Sequence, residues 1–404
     1  MTQDQGEEFK HLSKVQKYIL QCIGCGDCRE ATDITAEPPK SGVCVAREHS
    51  SGFEPFFGRG KMQIIRSVWE KKLPLSKDMA EIIYQCPTCN ACSEACAYDM
   101  DNVELYEALR GELVDAGYCL EKHADMSRSL VDQDNPYGRE NAQKGDWLKA
   151  LDVPVKRAPD EKAEVLYFVG CTAAFTPELQ SVATSTVNVL RKLGIDFTVL
   201  ADQEVCCGSV ALRTGFCDAF ESVAKKNAAL IAESGVKTVI TSCAGCYRTL
   251  KRDYPEYMTD FNVKVMHTVE FLDQVISENK PVLKNLGVKA TYHDPCHAGR
   301  HTGIYEEPRR ILAQIVDLVE MPTIKENAKC CGAGGGVKKA FPDLALEIAK
   351  SRVKEAEDTG AQYLVSICPF CHRNLSDALN ALQSPLIMID LIELLDQALE
   401  DESK

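Results

Sequence analysis

The sequence has little that would place the protein in a membrane or on a nucleic acid. It contains no apolar run of the roughly 18 residues that a membrane helix needs, since its most apolar stretch, 386–395, includes Asp390 and Glu393. The net charge is −14 and no basic stripe offsets it, so we expect no nucleic-acid partner. The opening residues, MTQDQGEEFK, lack the basic-then-apolar pattern of a signal peptide. We therefore expect a cytoplasmic protein with no membrane span of its own, which only a partner subunit could hold at the inner face of the membrane.

The composition also excludes a small domain built around disulfides. The 404 residues suffice for two or three domains, and 20 cysteines are too sparse for a disulfide scaffold. In a reducing cytoplasm these thiols stay free. The spacing of the cysteines is therefore more informative than their number.

Ten of the cysteines form two sets of five with one shared pattern. Each set has one cysteine, a long gap, C-C-G, another long gap and C-x-x-C, and each member of the second set lies 124 or 125 residues after its counterpart. Zinc and ordinary cubane clusters take four thiolates, so five thiolates in one place indicate an unusual iron–sulfur centre, present twice. The first set is Cys171, Cys206, Cys207, Cys243 and Cys246; the second is Cys296, Cys330, Cys331, Cys368 and Cys371.

The repeat extends to the segments around these cysteines. VLYFVG and KATYHDP are short β-rich segments that end at a cysteine, and VKTVITS and AQYLVSI precede the two C-x-x-C pairs, with helical patterns between them. This alternation predicts parallel βαβ units with the cysteines at the carboxyl ends of the strands. We predict an α+β multidomain protein: a helical ferredoxin-like domain (1–118), an irregular connecting segment (119–160), and two duplicated α/β domains (161–280 and 281–404) related by a pseudo-twofold axis.

The N-terminal region contains a second kind of cysteine pattern. Two runs with two residues between successive cysteines are typical of a ferredoxin pair of cubane [4Fe–4S] clusters, in which the fourth cysteine of each run serves the other cluster. By this rule Cys22, Cys25, Cys28 and Cys96 form one site. Thr32 occupies the usual fourth position of the first run, so Cys44, after a predicted inserted loop (ITAEPPKSGV), is the candidate to join Cys86, Cys89 and Cys92. A three-iron or differently ligated cluster remains the alternative to Cys44, and zinc the alternative to both cubanes.

Several motifs together resemble a known family. GCTAAF, CCGSVALRTG, CAGCYRT, YHDPCHAGRH, CCGAGGGVKKAFPDLAL and CPFCHRNLSD are similar to the catalytic D subunits of the membrane-linked heterodisulfide reductases of methanogens, over nearly the whole chain. The resemblance implies two cubane clusters that supply electrons to two noncubane [4Fe–4S] clusters, one in each five-cysteine set. It also implies that the mixed disulfide of coenzyme M and coenzyme B is reduced between them, at Cys206, Cys207, Cys330 and Cys331. The stretch Phe57-Gly58-Arg59-Gly60-Lys61 resembles one in the wider family and supports Cys44 as a ligand.

Other side chains are candidates for binding the substrate or donating protons. Guanidinium and ammonium groups suit the sulfonate and phosphate of the two coenzymes, and we expect them from Arg213, Arg248, Arg300, Arg373 and Lys338. For Arg248 and Arg373, which follow the two C-x-x-C pairs, a surface position or a counter-charge for the cluster is the alternative. His293, His297 and His372 are the candidate proton donors, with the capping of a strand end as the alternative. His301, which follows Cys296 closely, is expected to line the same cavity as a catalytic residue.

Two functions follow from these expectations. The first is the catalytic iron–sulfur subunit of a heterodisulfide reductase, with a small-molecule disulfide as substrate and a b-type cytochrome membrane subunit or a flavoprotein as electron donor. The second is an electron-transfer subunit that relays electrons between a flavin dehydrogenase and a quinone or cytochrome without disulfide chemistry. The completeness of both five-cysteine sets favours the first.

Overall fold

The computed structural model describes residues 9–30 and 44–400. Its N-terminal part is helical. The predicted inserted loop, 34–43, lies outside the described residues. Helix α7 begins where the Asp101 side chain accepts hydrogen bonds from the backbone N–H groups of Val103 and Glu104 at 3.0 and 3.1 Å. The helices are α1 (Gln16–Gln21), α2 (Asp27–Glu30), α3 (Val45–His49), α4 (Gly58–Trp69), α5 (Lys77–Ile83), α6 (Ala91–Glu94) and α7 (Asn102–Asp115), with 3₁₀ turns at Leu12–Val15 and Glu54–Phe56.

The connecting segment 119–160 is not irregular as predicted. It contains helix α8 (Glu121–Gln133), a 3₁₀ helix (Asn141–Ala150) and a short strand, β1 (Lys156–Arg157). Helix α8 buries His123, Met126 and Leu130, which share one face although only two of the three are apolar. Its apolar pattern is therefore too sparse for periodicity alone to reveal the helix.

The first α/β domain is a parallel sheet with helices between its strands. The predicted strand segments VLYFVG and VKTVITS form β2 and β4. Its elements are β2 (Val165–Tyr167), α9 (Cys171–Phe175), α10 (Gln180–Lys192), β3 (Phe197–Val199), α11 (Ser209–Arg213), α12 (Cys217–Ser234), β4 (Thr238–Thr241), α13 (Ala244–Arg248), a π-helical turn (Thr249–Asp253), α14 (Tyr254–Tyr257), β5 (Lys264–His267) and α15 (Thr268–Asn279), with 3₁₀ turns at Pro177–Leu179 and Ala201–Gln203.

The second α/β domain repeats this plan. KATYHDP and AQYLVSI provide β6 and β8. Its elements are β6 (Lys289–Tyr292), α16 (Glu306–Ile315), β7 (Asp317–Leu318), α17 (Val337–Ala340), α18 (Pro342–Glu357), β8 (Tyr363–Ser366), α19 (Pro369–Leu382), β9 (Ile387–Asp390) and α20 (Leu391–Ala398), with a 3₁₀ turn at Lys325–Asn327.

The two sheets have matching topologies. The first has the order β1-β3-β2-β4-β5 and the second β7-β6-β8-β9, and all their strand pairs are parallel. Without β1, which the connecting segment adds at the edge, the two orders correspond strand for strand. The predicted duplication of a parallel α/β unit is confirmed. Among the helices of the described residues, none combines the length and the apolar character needed to cross a membrane.

The packing between the two domains is reciprocal. Helix α10 of the first domain packs on α20 of the second, and α16 of the second packs on α15 of the first. Each contact includes an ion pair, Lys192 with Asp396 at 3.0 Å and Arg310 with Asp273. The first long helix of each domain thus meets the last helix of the other, as a pseudo-twofold relation requires.

Candidate functional site

The two five-cysteine sets face each other across one cavity. All ten cysteines line this space of about 370 Å³. Their position follows from the topology, since Cys171 begins α9 just after β2, and Cys243 and Cys368 cap the helices that follow β4 and β8. Parallel strands end at the same edge of a sheet, so each domain collects its thiols there and presents them to the other domain.

The thiols lie close together within and between the sets. Cys331 Sγ lies 3.4 Å from Cys371 Sγ, and Cys296 Sγ lies 4.0 Å from Cys330 Sγ. The two sets meet where the thiols of Cys243 and Cys368 interact. A substrate in the cavity would therefore touch both sets at once.

Hydrogen bonds between thiols favour the thiolate form of Cys207 in the first set and of Cys331 in the second, and they raise the pKa values of the partner thiols. The Cys206 and Cys246 thiols donate to Cys207 and lower its pKa to about 6. Cys331 has a pKa well below its usual value because of its hydrogen bonds with Cys330 and Cys371. Thiolate is the form that binds metal.

The backbone of each C-C-G turn requires a glycine after the paired cysteines. Gly208 and Gly332 have φ values of 83° and 87°, in the left-handed region that glycine adopts without strain. Their backbone N–H groups point to the sulfurs of Cys206 and Cys330 at 3.5 and 3.3 Å. Both turns thus hold a sulfur by a hydrogen bond from the backbone.

The donor chemistry fits an iron–sulfur centre better than a disulfide or a zinc site. All 20 cysteines lie among the described residues and all are free thiols. Each set offers five sulfurs, whereas tetrahedral zinc takes four ligands. His293 lies close to Cys331 and Cys371, with the three ligand atoms within 4.8 Å of one another.

The structure brings the cysteines of each predicted cubane site together. Cys28 lies near three other thiols, and its pKa rises to about 12 through burial and through the charges of those neighbours, which are Cys22, Cys96 and Cys25. The other four, which are Cys44, Cys86, Cys89 and Cys92, line one small cavity of about 20 Å³.

The glycines and the lysine of the segment Phe57–Lys61 pack around both of these sites. A Cβ at Gly58 would lie 2.7 Å from the carbonyl oxygen of Cys28, and one at Gly60 would lie 1.9 Å from that of Glu54. Lys61 lines the cavity of the Cys44 group and donates to the Phe56 carbonyl oxygen. The segment therefore lets the backbone approach one thiol group and supplies a cation to the other.

The second five-cysteine set adjoins the Cys44 group directly. The thiols of Cys89 and Cys330 interact. The glycine run after Cys331 lies against the same loop, since a Cβ at Gly334 or Gly335 would be 2.6 Å from the carbonyl oxygens of Pro87 and Cys86, respectively. The bare backbone of this run thus accommodates the cysteine loop of the helical domain.

Arg373, Lys338 and His297, which were predicted to bind the substrate or donate protons, all line the cavity. Arg373 lies with its guanidinium 5.9 Å from the ring centre of Tyr137. Lys338 is bonded to Asn374 at 2.7 Å and to Asp377 at 2.5 Å. The His297 ring is half-buried, and loss of hydration lowers its pKa to about 4. Its buried Nε2 has no hydrogen-bond partner among the described residues.

Other predicted substrate residues make different contacts. Arg213 lines the cavity, but its guanidinium is paired with Glu107 at 2.6 Å and with Asp253. Arg248 does not line the cavity and lies 3.6 and 3.9 Å from the same two carboxylates. The two arginines therefore have different surroundings, because the acidic side chain of α7 lies near Arg248 while Arg373 lines the cavity.

Arg300 and His301 also lie away from the cavity, contrary to prediction. Arg300 donates to the backbone carbonyl oxygens of Cys89 at 2.7 Å, Glu326 at 3.1 Å and Ala328 at 2.6 Å. His301 Nε2 lies 2.9 Å from the Thr88 carbonyl oxygen. Both side chains thus fasten the second α/β domain to the loop of Cys89.

Sequence reasoning missed three residues of this region. Lys144 and Tyr137 come from the connecting segment, where Lys144 Nζ lies 3.4 Å from Cys171 Sγ and Tyr137 lines the cavity. Arg110 on α7 is fully buried and donates to four carbonyl oxygens in three parts of the molecule. No motif in the sequence marks these three residues.

Known proteins share this organisation. A family model described as "Cysteine-rich domain" matches residues 165–251 and 290–376. The chain is 36% identical over 408 residues to the D subunit of the dihydromethanophenazine:CoB–CoM heterodisulfide reductase of Methanosarcina mazei, covering 98% of both chains. It is 31% identical over 337 residues to an EtfAB:quinone oxidoreductase of Syntrophomonas wolfei, covering 80% of this chain and 47% of that protein.

A solved structure supports the fold alone. A hypothetical protein from Helicobacter pylori superposes with a TM-score of 0.56 at 12% identity, covering 99% of this chain and 78% of that one. The extent and level of the sequence match, with the two cysteine-rich domains facing one cavity, show that this chain belongs to the family of the heterodisulfide reductase D subunits.

Proposed function

We propose that this protein is the iron–sulfur subunit of a disulfide reductase and that it reduces the mixed disulfide of coenzyme M and coenzyme B. The observation that carries the proposal is that all ten cysteines of the two five-cysteine sets line one cavity. The name of the Methanosarcina mazei relative, which includes CoB–CoM heterodisulfide reductase, supports the substrate. Reduction of a disulfide to two thiols needs two electrons and two protons, so two facing centres match the two sulfurs.

The cofactors of the proposal are two cubane and two noncubane [4Fe–4S] clusters. Bound here, they would supply electrons one at a time. The helical domain would hold the cubanes with Cys22, Cys25, Cys28 and Cys96 and with Cys44, Cys86, Cys89 and Cys92. The α/β domains would hold the noncubane clusters with their five-cysteine sets. The contact between Cys89 and Cys330 supports the second set as the nearer to the helical domain.

The cationic side chains of the cavity would orient the substrate. Lys338, Lys339 and Arg373 all line it and all belong to the second α/β domain. Arg213 contributes less attraction, since Glu107 and Asp253 offset its charge. We propose that a sulfonate or phosphate of the substrate binds at the end with Arg373, where guanidinium can make two parallel hydrogen bonds.

His297 is the proposed proton donor of the cavity. Its buried Nε2 has no partner among the described residues, and it lies beside Cys296 on the cavity wall. A thiolate formed nearby would attract a proton to this ring. His301 packs edge-on against His297 with ring centres 4.6 Å apart, so its proposed role is to orient His297.

A partner subunit would deliver electrons to the helical domain. Cys25 is exposed at the surface, and Leu20 and Ile23 beside it are 58% and 64% exposed. An apolar rim around an exposed ligand suits docking of a b-type cytochrome membrane subunit or a flavoprotein. Through such a partner the protein would lie at the inner face of the membrane.

The alternative is electron relay without disulfide chemistry. The relative from Syntrophomonas wolfei, named as an EtfAB:quinone oxidoreductase, favours it. Both functions need the four thiol groups, but relay needs no substrate between the two α/β domains. The cavity lined by both sets supports disulfide reduction over relay.

The deciding experiment is an anaerobic assay of the purified protein. Reduced viologen dye would supply electrons, and the coenzyme M–coenzyme B disulfide would be compared with a panel of other disulfides. Turnover confined to that substrate supports the proposal. No turnover on any disulfide from protein that contains about 16 irons, as four clusters of four would give, would leave relay as the function.

A further inference from the structure

A buried lysine touches the first five-cysteine set. Lys144 is 1% exposed, and its ammonium lies 3.4 Å from Cys171 Sγ and 2.9 Å from a carboxylate oxygen of Glu204. Its third neighbour is the ring of Phe168, whose centre lies 5.7 Å away. Burying an ammonium and a carboxylate costs free energy, and a well-packed apolar pair is often at least as stable. The pair therefore points to a role beyond holding the fold together.

The connecting segment is built to place this ammonium. Asn141, one turn before Lys144, donates to the backbone carbonyl oxygens of Asp202 at 3.0 Å and Glu204 at 3.1 Å. Trp147, one turn after it, is 1% exposed. Asn141 thus fixes the 3₁₀ helix on the loop that leads into Cys206, and Trp147 holds the helix in the core, so Lys144 has little freedom to turn away.

Glu204 orients the ammonium without cancelling its effect on the sulfur. Its carboxylate accepts hydrogen bonds from the backbone N–H groups of Val169 and Gly170, both at 2.8 Å. These two hydrogen bonds partly offset the negative charge of the carboxylate. The ammonium touches Cys171 directly, and its charge acts on that sulfur more strongly than the opposing charge of Glu204.

The second α/β domain has no such pair at the matching positions. Ala328 stands two residues before its C-C pair, where the first domain has Glu204, and its carbonyl oxygen accepts from Arg300. His293 stands three residues before Cys296, where the first domain has Phe168. The duplicated scaffold therefore surrounds its two thiol sets with different charges.

We propose that Lys144 is a positioning residue that donates an N–H···S hydrogen bond to Cys171 and raises the reduction potential of the centre held by the first five-cysteine set. Hydrogen bonds to cluster sulfurs and nearby charges are known determinants of such potentials. An added electron makes the centre more negative, and a fixed cation stabilises that state. The inference rests on the proposed function only in requiring a redox centre at this set.

The test is a set of anaerobic redox titrations of the whole protein, followed by electron paramagnetic resonance, with iron content measured in parallel. Lys144→Met should lower the reduction potential of one step and leave the potentials of the other steps unchanged. We expect its equilibrium constant to fall at least about tenfold, which is about 59 mV for a one-electron couple. The matched control is Lys149→Met in the same 3₁₀ helix, since that side chain is 79% exposed and should shift nothing.

The direction in which a second substitution shifts the reduction potential distinguishes an effect on the centre from a merely structural role. Glu204→Gln leaves the ammonium without its counter-charge, so the reduction potential of the same step should rise. In the double variant Lys144→Met with Glu204→Gln, both charges are gone, and the step should still lie below the wild-type value because the nearer charge is the one that matters. Lys144→Arg should restore most of the potential.

Three results would overturn the inference. The wild-type potential in the double variant would show that Lys144 only neutralises Glu204. Unchanged titrations in Lys144→Met with full iron would show that the ammonium does not act on a centre. Wild-type protein with no redox centre in its α/β domains would overturn both this inference and the proposed function.

Discussion

Replacing Arg110 should uncouple the helical domain from both α/β domains. Its guanidinium donates to the carbonyl oxygens of Ile83 at 2.9 Å and Cys86 at 2.7 Å in its own domain, and to those of Arg213 at 2.7 Å and Gly335 at 3.0 Å in the two others. The side chain is fully buried and lies 4.9 Å from the ring centre of Tyr84. One residue thus joins three domains at the loop that contains Cys86.

The expected loss is a large part of the stability of a protein. A buried polar group that loses its partner costs about 1–3 kcal/mol, and Arg110→Met leaves the carbonyl oxygens of Cys86, Arg213 and Gly335 in this state, while that of Ile83 keeps a bond from the Cys86 N–H. At the lower end of that range, the sum for three carbonyls is about 3 kcal/mol. Net stabilities of folded proteins are only about 5–15 kcal/mol.

Anaerobic urea titration followed by circular dichroism and cluster absorbance measures this loss. Arg110→Lys should recover only part of it, since one ammonium cannot span the positions that a guanidinium fork reaches. The control Arg128→Met removes an exposed pair with Asp125, worth about 0–1 kcal/mol. An Arg110→Met protein that unfolds at the same urea concentration as Arg128→Met would refute the reasoning from unsatisfied carbonyls.

Three further predictions concern the substrate, the cubane ligands and pH. Arg373→Met should raise KM for the disulfide about tenfold with little change in kcat. Arg248→Met should lower thermal stability instead, because Arg248 lies near Glu107 and Asp253. Equal effects of the two substitutions on KM in steady-state kinetics would contradict this. Cys44→Ser should remove or convert one cluster, a loss of up to about four irons per chain by iron analysis; full iron content with unchanged spectra would exclude Cys44 as a ligand. Burial raises the pKa of Glu107 to about 7, so the native state binds a proton that the unfolded state has released, and stability should fall as pH rises from about 4.5 to about 7. Urea titrations across that range should show a flatter profile in Glu107→Gln, and an identical slope would mean that another group titrates.

The parts of the fold that follow from local pattern could be predicted. The strands before Cys171 and Cys243 are short, apolar and β-branched, and parallel strands must end at one edge, so the convergence of each five-cysteine set follows from topology. The tight turns at Gly208 and Gly332 follow from the C-C-G pattern itself, since glycine accepts their positive φ without strain. Spacing and period determine these features, and both are visible in one sequence.

The environment of each side chain could not be predicted in the same way. Arg300 follows Cys296 closely, and only the packing of the second domain on the Cys89 loop turns it away from the cavity. The connecting segment shows no clear period because its helix has a sparse apolar face, yet it provides Lys144 and Tyr137. Contacts between distant segments decide these roles, and no local pattern encodes them.

Duplication alone would give the two α/β domains equal surroundings, but the helical domain contacts them unequally. Glu107 of α7 lies near Arg248, while the matching Arg373 remains at the cavity. The Cys89 loop touches Cys330, and the connecting segment places Lys144 on Cys171. If both proposed centres are bound, electrons from the helical domain would reach the second domain first, through Cys330, while Lys144 acts on the first. A symmetric pair of centres would offer electrons no preferred direction, whereas these added segments would make the two proposed centres unequal.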